Sequence, residues 1–290
     1  MTYDTLIIGK GPAGISAAVY LVRSGHSVLV LGKDAGALER AESIENYYGF
    51  PESLTGADLA SRGVAQAERL GVDVRTEEVV HLGMEELWSV KTEAGHYTAK
   101  TVLLATGKGR TALKVPGFDE YRGRGISFCV TCDGFLYRGK KLALLGAGEY
   151  AANEYAELTA FTDDRVVFTN GADITGSFPE STRFITEKIT SFSGGDTVST
   201  ITTEDGAEHS VAGVFVALGT AGAASFAATL GIELDGTNIV VNEAFMTNIP
   251  GIFAAGDCTG GFLQIAKAVS DGALAAKGIN LWLKKEGQGH

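Results

Sequence analysis

Two cysteines in the run Cys129-Val130-Thr131-Cys132 are the residues of this sequence best suited to chemistry. Their spacing closes a small disulfide ring, and the adjacent Asp133 can supply or accept a proton during thiol–disulfide exchange. The same pair is also half of a zinc site. Zinc needs two more ligands at sensible spacing, and the sequence offers only Cys258 and five scattered histidines, which favours redox chemistry. Cys258 follows Asp257 directly, has no nearby partner and reads as a small buried residue.

A second group of residues is Gly9-Lys10-Gly11-Pro12-Ala13-Gly14, which suits a diphosphate cradle. Gly9 permits a tight turn, Gly11 lets backbone approach phosphate, and Gly14 lets a helix pack on a strand. The helix start adds partial positive charge. Asp34 lies near the end of the next strand, where a carboxylate meets ribose hydroxyls, with Gly32-Lys33 intervening.

The elements that position these residues follow from hydrophobic periodicity. A buried strand is predicted over residues 3–8, a helix over 15–23 and a second strand over 27–31, which makes a βαβ unit. A helix over 58–70 precedes a meander at 79–84, 88–92 and 97–99, and a further strand at 102–105. The opening then repeats: a strand over 141–145, glycines at Gly146 and Gly148, a helix to about residue 161 and a strand over 166–169. Another meander spans 185–208, a strand 213–217, and a last helix 262–283.

The final segment, with Gly251 to Asp257, does not continue the second unit. The predicted fold class is therefore α/β, with two Rossmann-like (three-layer ββα) nucleotide-binding domains, the second inserted into the first. The discontinuous domain is expected at 1–110 and 243–290, and the inserted one at 111–242.

The net charge of −11 disfavours nucleic acid and anionic membranes as partners. No apolar run is long enough to span a bilayer, and the opening residues lack the basic-then-apolar pattern of a signal peptide. A cytoplasmic location is expected.

Several motifs occur in a telling order: Lys10 to Gly14, Ala105-Thr106-Gly107, Cys129 to Phe135, and Ala254-Ala255-Gly256-Asp257. With Glu45-Asn46, Gly123-Arg124-Gly125 and the run from Thr247 to Gly251, they resemble low-molecular-weight thioredoxin reductases over nearly the whole length. The resemblance implies a homodimer with FAD on the discontinuous domain. It would be held by Gly9, Gly11, Pro12, Ala13, Gly14, Asn46, Ala105, Thr106 and Gly107, with Gly256 and Asp257 near the ribityl-diphosphate. The run Leu263-Gln264-Ile265-Ala266 stands where NADPH-dependent relatives carry Arg-Gln-Ala, so the resemblance leaves part of that flavin contact to Gln264, with Ile265 and Ala266 beside it. Cys132 is implied to be the thiol nearer the flavin, Cys129 the one that attacks a partner disulfide, and Asp133 the proton donor and acceptor.

One departure redirects the electron donor. Where NADPH-dependent relatives carry His-Arg-Arg and a further Arg, this sequence has Asn170-Gly171-Ala172-Asp173 and then Ile174 to Gly176. A 2′-phosphate needs cationic partners there. Between Ala151 and Ser177 the only basic residue is Arg165, against five acids: Glu154, Glu157, Asp163, Asp164 and Asp173. NADH calls for an acid closing the second strand, but Asn170 occupies that place. NAD(P)H is therefore not expected, and the pattern resembles the branch in which reduced ferredoxin supplies electrons. An acidic ferredoxin needs a local basic dock, for which Lys108, Arg110, Arg122, Arg124 and Lys267 are candidates. The predicted protein partners are a thioredoxin-like acceptor and a ferredoxin donor. An NADPH-dependent enzyme with an atypical nucleotide site, an FAD-dependent dithiol oxidase and a redox sensor remain open alternatives.

Overall fold

The computed structural model describes residues 2–107, 113–219 and 222–286, and the chain divides into two compact units. Unit 1 comprises Met1–Gly109 and Leu230–His290, and unit 2 comprises Arg110–Thr229.

Unit 1 opens with β1 (Thr2–Ile8), α1 (Pro12–Arg23), β2 (Val28–Leu31), α2 (Gly56–Arg69) and β3 (Asp73–Arg75). The apolar runs of β1 and β2 are buried on both faces, as parallel strands under crossover helices require. An antiparallel run follows: β4 (Val79–Met84), β5 (Trp88–Thr92) and β6 (His96–Leu104). The strands predicted at 97–99 and 102–105 are one continuous β6. Lys100 and Thr101 looked like a break because both are polar. Lys100 points outward to Asp4 at 2.8 Å, and the fully buried Thr101 hydroxyl donates to the Asp4 carbonyl and to Thr5. Helix α2 starts before the predicted residue 58 because Thr55 caps it, accepting from the Asp58 N–H at 3.1 Å.

Unit 2 contains β7 (Ile126–Ser127), α3 (Val130–Asp133), β8 (Leu142–Leu145), α4 (Glu149–Leu158), β9 (Arg165–Phe168) and β10 (Phe184–Ile185). It continues with β11 (Ile189–Gly194), β12 (Val198–Thr203), β13 (Glu208–Ser210), β14 (Gly213–Val216) and α5 (Ala223–Leu230), whose last residue belongs to unit 1. A parallel sheet runs β10-β9-β8-β14-β7, and β11, β12 and β13 form a separate antiparallel sheet. The core between them holds Phe118, Ile126, Leu145, Phe168, Phe192 and Val214.

The chain returns to unit 1 at Leu230, well before the expected residue 243. Backbone groups explain the earlier return. Asn248 bridges back to this segment, accepting from the Glu233 N–H and donating to the Gly231 carbonyl, each at 2.9 Å. The hairpin β15 (Leu234–Asp235) and β16 (Asn238–Ile239) follows, then β17 (Ile252–Ala254) and α6 (Ile265–Glu286). Strand β17 pairs with β6 and completes a seven-stranded sheet of order β3-β2-β1-β6-β5-β4. Helices α1 and α6 pack closely because small residues meet: Ala17, Ala18, Ala275 and Ala276 are all buried, and Gly272 sits on the Ala13 carbonyl. Each unit thus has a Rossmann-like parallel sheet with its own core.

Candidate active site

The short β7 delivers the chain to Cys129, which caps the single turn of α3. Cys129 and Cys132 are joined as a disulfide with a Cα–Cα separation of 5.3 Å. The Cys132 N–H donates to Cys129 Sγ at 3.1 Å, so the helical turn itself brings the sulfurs together. Ser127 organises the approach. Its hydroxyl donates to Asp133 Oδ2 at 2.6 Å and accepts from the Cys129 N–H at 3.1 Å. Asp133 is thereby oriented beside the disulfide.

The two sulfurs are not equivalent. Cys129 is 3% exposed, whereas Cys132 is exposed. Cys132 Sγ lies 3.3 Å from the Ala228 carbonyl. A disulfide sulfur carries no proton, so this is a van der Waals contact in the oxidised form; reduction turns the carbonyl into an acceptor for the thiol. Ser127, Phe128, both cysteines, Asp133 and Ala228 line a cleft of about 290 Å³ within unit 2. Behind it, α4 presents Glu157, whose Oε2 accepts from the Thr131 hydroxyl at 3.0 Å.

Unit 1 gathers most of the residues expected to hold FAD at the carboxyl ends of β1, β6 and β17. Gly9, with φ +115°, lies against the Ala105 carbonyl, and any side chain at Gly14 would strike the Gly9 carbonyl. Gly11 faces open space and Pro12 begins α1, whose first turn holds no acid. Gly256 packs against Ala13, and Asp257 follows it at the start of a short 3-10 turn. Asn46 Nδ2 donates to Gln264 Oε1 at 3.1 Å, next to Ile265 and Ala266 in the first turn of α6. Gly107, with φ +69°, follows Thr106. Asp34 lies beyond β2, where Oδ1 accepts from the Gly36 N–H at 2.8 Å. Helix α6 begins at Ile265, later than predicted, which leaves Phe262 and Leu263 exposed ahead of it.

These residues fit a dinucleotide. The Thr106 hydroxyl is buried without a hydrogen-bond partner, Gly11 leaves backbone accessible, and the N-termini of α1 and α6 both belong to this unit. Gly9, Gly14 and Gly256 each occupy a place that a Cβ would fill.

Lys267 departs from expectation. Instead of serving a protein dock, its ammonium donates to the carbonyls of Gly256 (3.0 Å) and Gly260 (2.6 Å) and pairs with Asp271 at 2.7 Å. A desolvated ammonium needs such partners, and here they fasten the loop around Asp257. Asp271 also accepts from the Gly256 N–H. Nothing in the sequence marked this i,i+4 pair as other than a surface bridge. Arg122 and Arg124 stay half-exposed near their own-segment acids, Asp119 and Glu120, while Lys108 and Arg110 lie outside the described residues. Cys258 is buried, and burial pushes its thiol up to about 12, so it is inert. No cluster of metal-ligating side chains occurs among the described residues.

The second glycine turn differs from the first. The backbone N–H groups of Thr175 and Gly176 both donate to the Ala147 carbonyl at 2.9 Å, and Gly176 packs on Gly148. Ser177 donates to Glu149, an acid in the first turn of α4. Residues 175–177 therefore overlie the turn. Lys188, distant in sequence, lays its aliphatic stem along Gly171, a neighbour that sequence spacing could not reveal.

The sequence matches the pyridine nucleotide-disulphide oxidoreductase family over residues 3–272. It is 32% identical to a thioredoxin reductase of Bacillus subtilis, covering 98% of this chain and 95% of that protein. Among solved structures, the atypical thioredoxin reductase TRi of Desulfovibrio vulgaris Hildenborough aligns with a TM-score of 0.92 and 41% identity, over 98% of both chains. A ferredoxin-flavin thioredoxin reductase of Clostridium acetobutylicum aligns at 0.78 and 30%, over 98% of this chain and 99% of that one. The chain belongs to the pyridine nucleotide-disulphide oxidoreductase family. Its activity is that of a thioredoxin reductase-type flavin disulfide oxidoreductase. No helix among the described residues is long and apolar enough to cross a membrane.

Proposed function

We propose that this enzyme takes electrons from reduced ferredoxin rather than from a pyridine nucleotide, and passes them through FAD and the Cys129–Cys132 dithiol to a thioredoxin-like protein. The observation that carries the reading is the covered second glycine turn. Thr175 and Gly176 fill the approach to the Ala147 carbonyl, and Glu149 places a carboxylate where a diphosphate would need positive potential. The likeness to the Clostridium enzyme supports the same donor. Of the five candidate cations, the half-exposed Arg122 and Arg124, on either side of the cleft residue Gly123, are the two described ones that could meet an acidic donor.

In the proposed mechanism, Gly9, Gly11, Pro12, Ala13 and Gly14, together with Thr106, Gly107 and Asp257, would hold the cofactor, and Asn46 and Gln264, bonded to one another, would add to its site. Bound FAD supplies the exchange between one-electron donors and two-electron disulfide chemistry. Two electrons and two protons open the Cys129–Cys132 bond to a dithiol, with Asp133 handing a proton to sulfur. Cys129 thiolate attacks the partner's disulfide and one partner sulfur leaves as a thiolate. Cys132 then attacks the mixed disulfide, which releases the partner as a dithiol and restores the Cys129–Cys132 bond. Because Cys129 is 3% exposed, its attack requires the loop to uncover it. The enzyme would act in the cytoplasm as a homodimer.

A second reading, NADPH dependence through an atypical site, draws on Lys188 beside Gly171, since its ammonium could meet a 2′-phosphate. Anaerobic titration of the bound flavin with NADPH, NADH and reduced ferredoxin, with thioredoxin reduction followed in parallel, separates the two. Bleaching and thioredoxin reduction with ferredoxin alone are expected. Rapid bleaching by NADPH, lost in Lys188→Ala, would establish the second reading instead.

A further inference from the structure

The expected cofactor site of unit 1 is built from two stretches far apart in sequence: the glycine turn at 9–14 ahead of α1, and the loop at 256–260 ahead of α6. The start of α6 touches both. Lys267 Nζ donates to the carbonyls of Gly256 and Gly260, the two ends of the loop, and to Thr259 Oγ1 at 3.1 Å. Asp271, one helical turn on, pairs with that ammonium and accepts from the Gly256 N–H at 3.1 Å through the same oxygen, Oδ2. Toward α1, Gly272 lies against the Ala13 carbonyl, and the Ser16 hydroxyl donates to the Val269 carbonyl at 2.8 Å. Gly256 completes the arrangement, since a Cβ there would strike that of Ala13.

We infer that Lys267 and Asp271 are positioning residues for FAD: the pair holds the loop at 256–260, and with it Asp257, in register with the glycine turn of α1, so that the two halves of the diphosphate site keep one spacing. The inference rests on unit 1 being the FAD site.

The side chains of Lys267 and Asp271 are 22% and 10% exposed, so either charge would be costly without the other. An ammonium that served phosphate by its charge would keep its donors for the ligand. Lys267 instead divides its hydrogens among two carbonyls, a hydroxyl and Asp271, whose negative charge offsets its own. What the pair supplies is geometry. Gly256 and Gly260 have φ of +85° and +77°, and a loop with a glycine at each end has much conformational freedom to lose. Bonding both of its end carbonyls and the Gly256 N–H to α6 removes that freedom from the cost of binding. Hydrogen bonds to charged groups of this kind correspond to roughly 10- to 100-fold in a binding equilibrium.

The test follows FAD release from the purified holoenzyme, by the rise in flavin fluorescence on dilution, beside urea unfolding of the same proteins. Lys267→Met keeps the aliphatic stem but leaves Asp271 buried without its cation, so FAD should leave about 10- to 100-fold faster and the urea midpoint should fall. Lys267→Met combined with Asp271→Asn removes both charges and keeps an acceptor for the Gly256 N–H. Its midpoint should return toward wild type while release stays at least about tenfold faster, because the loop contacts of Lys267 are still missing. Release within about twofold of wild type in the double variant overturns the inference. So does a double variant as unstable as the single one, since loss of FAD would then follow loss of structure. Should Lys267→Met alone not fold, the double variant carries the test. An acceleration that disappears at high salt overturns it as well, because the Lys267 charge, rather than the loop, would then be acting on the diphosphate. Asp257→Ala is the control for the underlying reading: FAD release at the wild-type rate there would show that the loop does not serve the cofactor, independently of the pair.

Discussion

At Gly11 the turn after β1 leaves open space where a side chain would begin; at Gly148, in the turn after β8, a Cβ would come into ordinary contact with Thr175 Oγ1 and the Gly219 carbonyl. Both turns join a buried parallel strand to a helix, and both need a glycine where strand, turn and neighbouring strand converge: Gly9 lies on the Ala105 carbonyl, Gly146 on that of Ala217. The difference lies above the turn. Helix α1 begins with Pro12 and no acid, whereas α4 begins with Glu149, bonded to Ser177. On the proposed reading, a strand–turn–helix scaffold is kept for packing while residues 175–177 lie over its ligand face.

That comparison predicts unequal outcomes from matched substitutions. The largest effect belongs to Gly9→Val, where a β-branched side chain at φ +115° would also strike the Ala105 carbonyl. Loss of roughly 3 kcal/mol or more in urea unfolding is expected, together with loss of bound FAD. Next, Gly11→Val should leave the fold within about 1 kcal/mol of wild type yet weaken FAD binding about 100-fold on reconstitution of the apoprotein, because backbone can no longer approach phosphate. Gly148→Val, its counterpart, should change neither FAD content nor donor-driven thioredoxin reduction by more than about twofold. Equal losses at Gly11 and Gly148 would break the comparison outright.

A smaller effect separates the two helix starts. Glu149→Gln removes the acid but leaves residues 175–177 in place, so flavin bleaching by NADPH or NADH should stay unchanged in anaerobic titration, with stability altered by less than about 1 kcal/mol. Faster bleaching would mean that charge alone, not coverage, had closed the turn.

The smallest expected differences concern pH. Burial alone would raise Asp4 in unit 1, but hydrogen bonds from Lys100 and Ser27 overcome it and hold the carboxyl near about 2. Its stabilisation is complete above the ordinary aspartate range and is lost as pH falls toward about 2, so the gap between wild type and Asp4→Asn, about 1 kcal/mol, should close there. Glu154 in unit 2 has the opposite sign. Its folded form binds a proton more tightly than the unfolded chain, so its contribution declines as pH rises from about 4.5 to about 7. Unfolding of Glu154→Gln across that window should lack the decline. Parallel pH slopes in the two variants would contradict the assignment of opposite environments.

Local pattern determined much of this protein. Apolar runs and glycine spacing predict both βαβ openings and the doubled α/β architecture, and the cysteine spacing predicts the Cys129–Cys132 ring, because each depends on residues close in sequence. Strand β6 was read as two because polarity at Lys100 and Thr101 conceals whether a side chain is bonded inside or solvated outside. The return to unit 1 at Leu230 is not legible in the sequence, because the bonds of the Asn248 side chain to the backbone of Gly231 and Glu233 carry no compositional signal.

Only tertiary structure could decide what lies over each turn. Lys188 comes to Gly171, Lys267 turns inward to the Gly256 loop, and Glu157 of α4 comes to Thr131. Sequence pattern specifies which face a residue occupies, whereas desolvation and hydrogen bonding act between groups that the chain brings together from a distance.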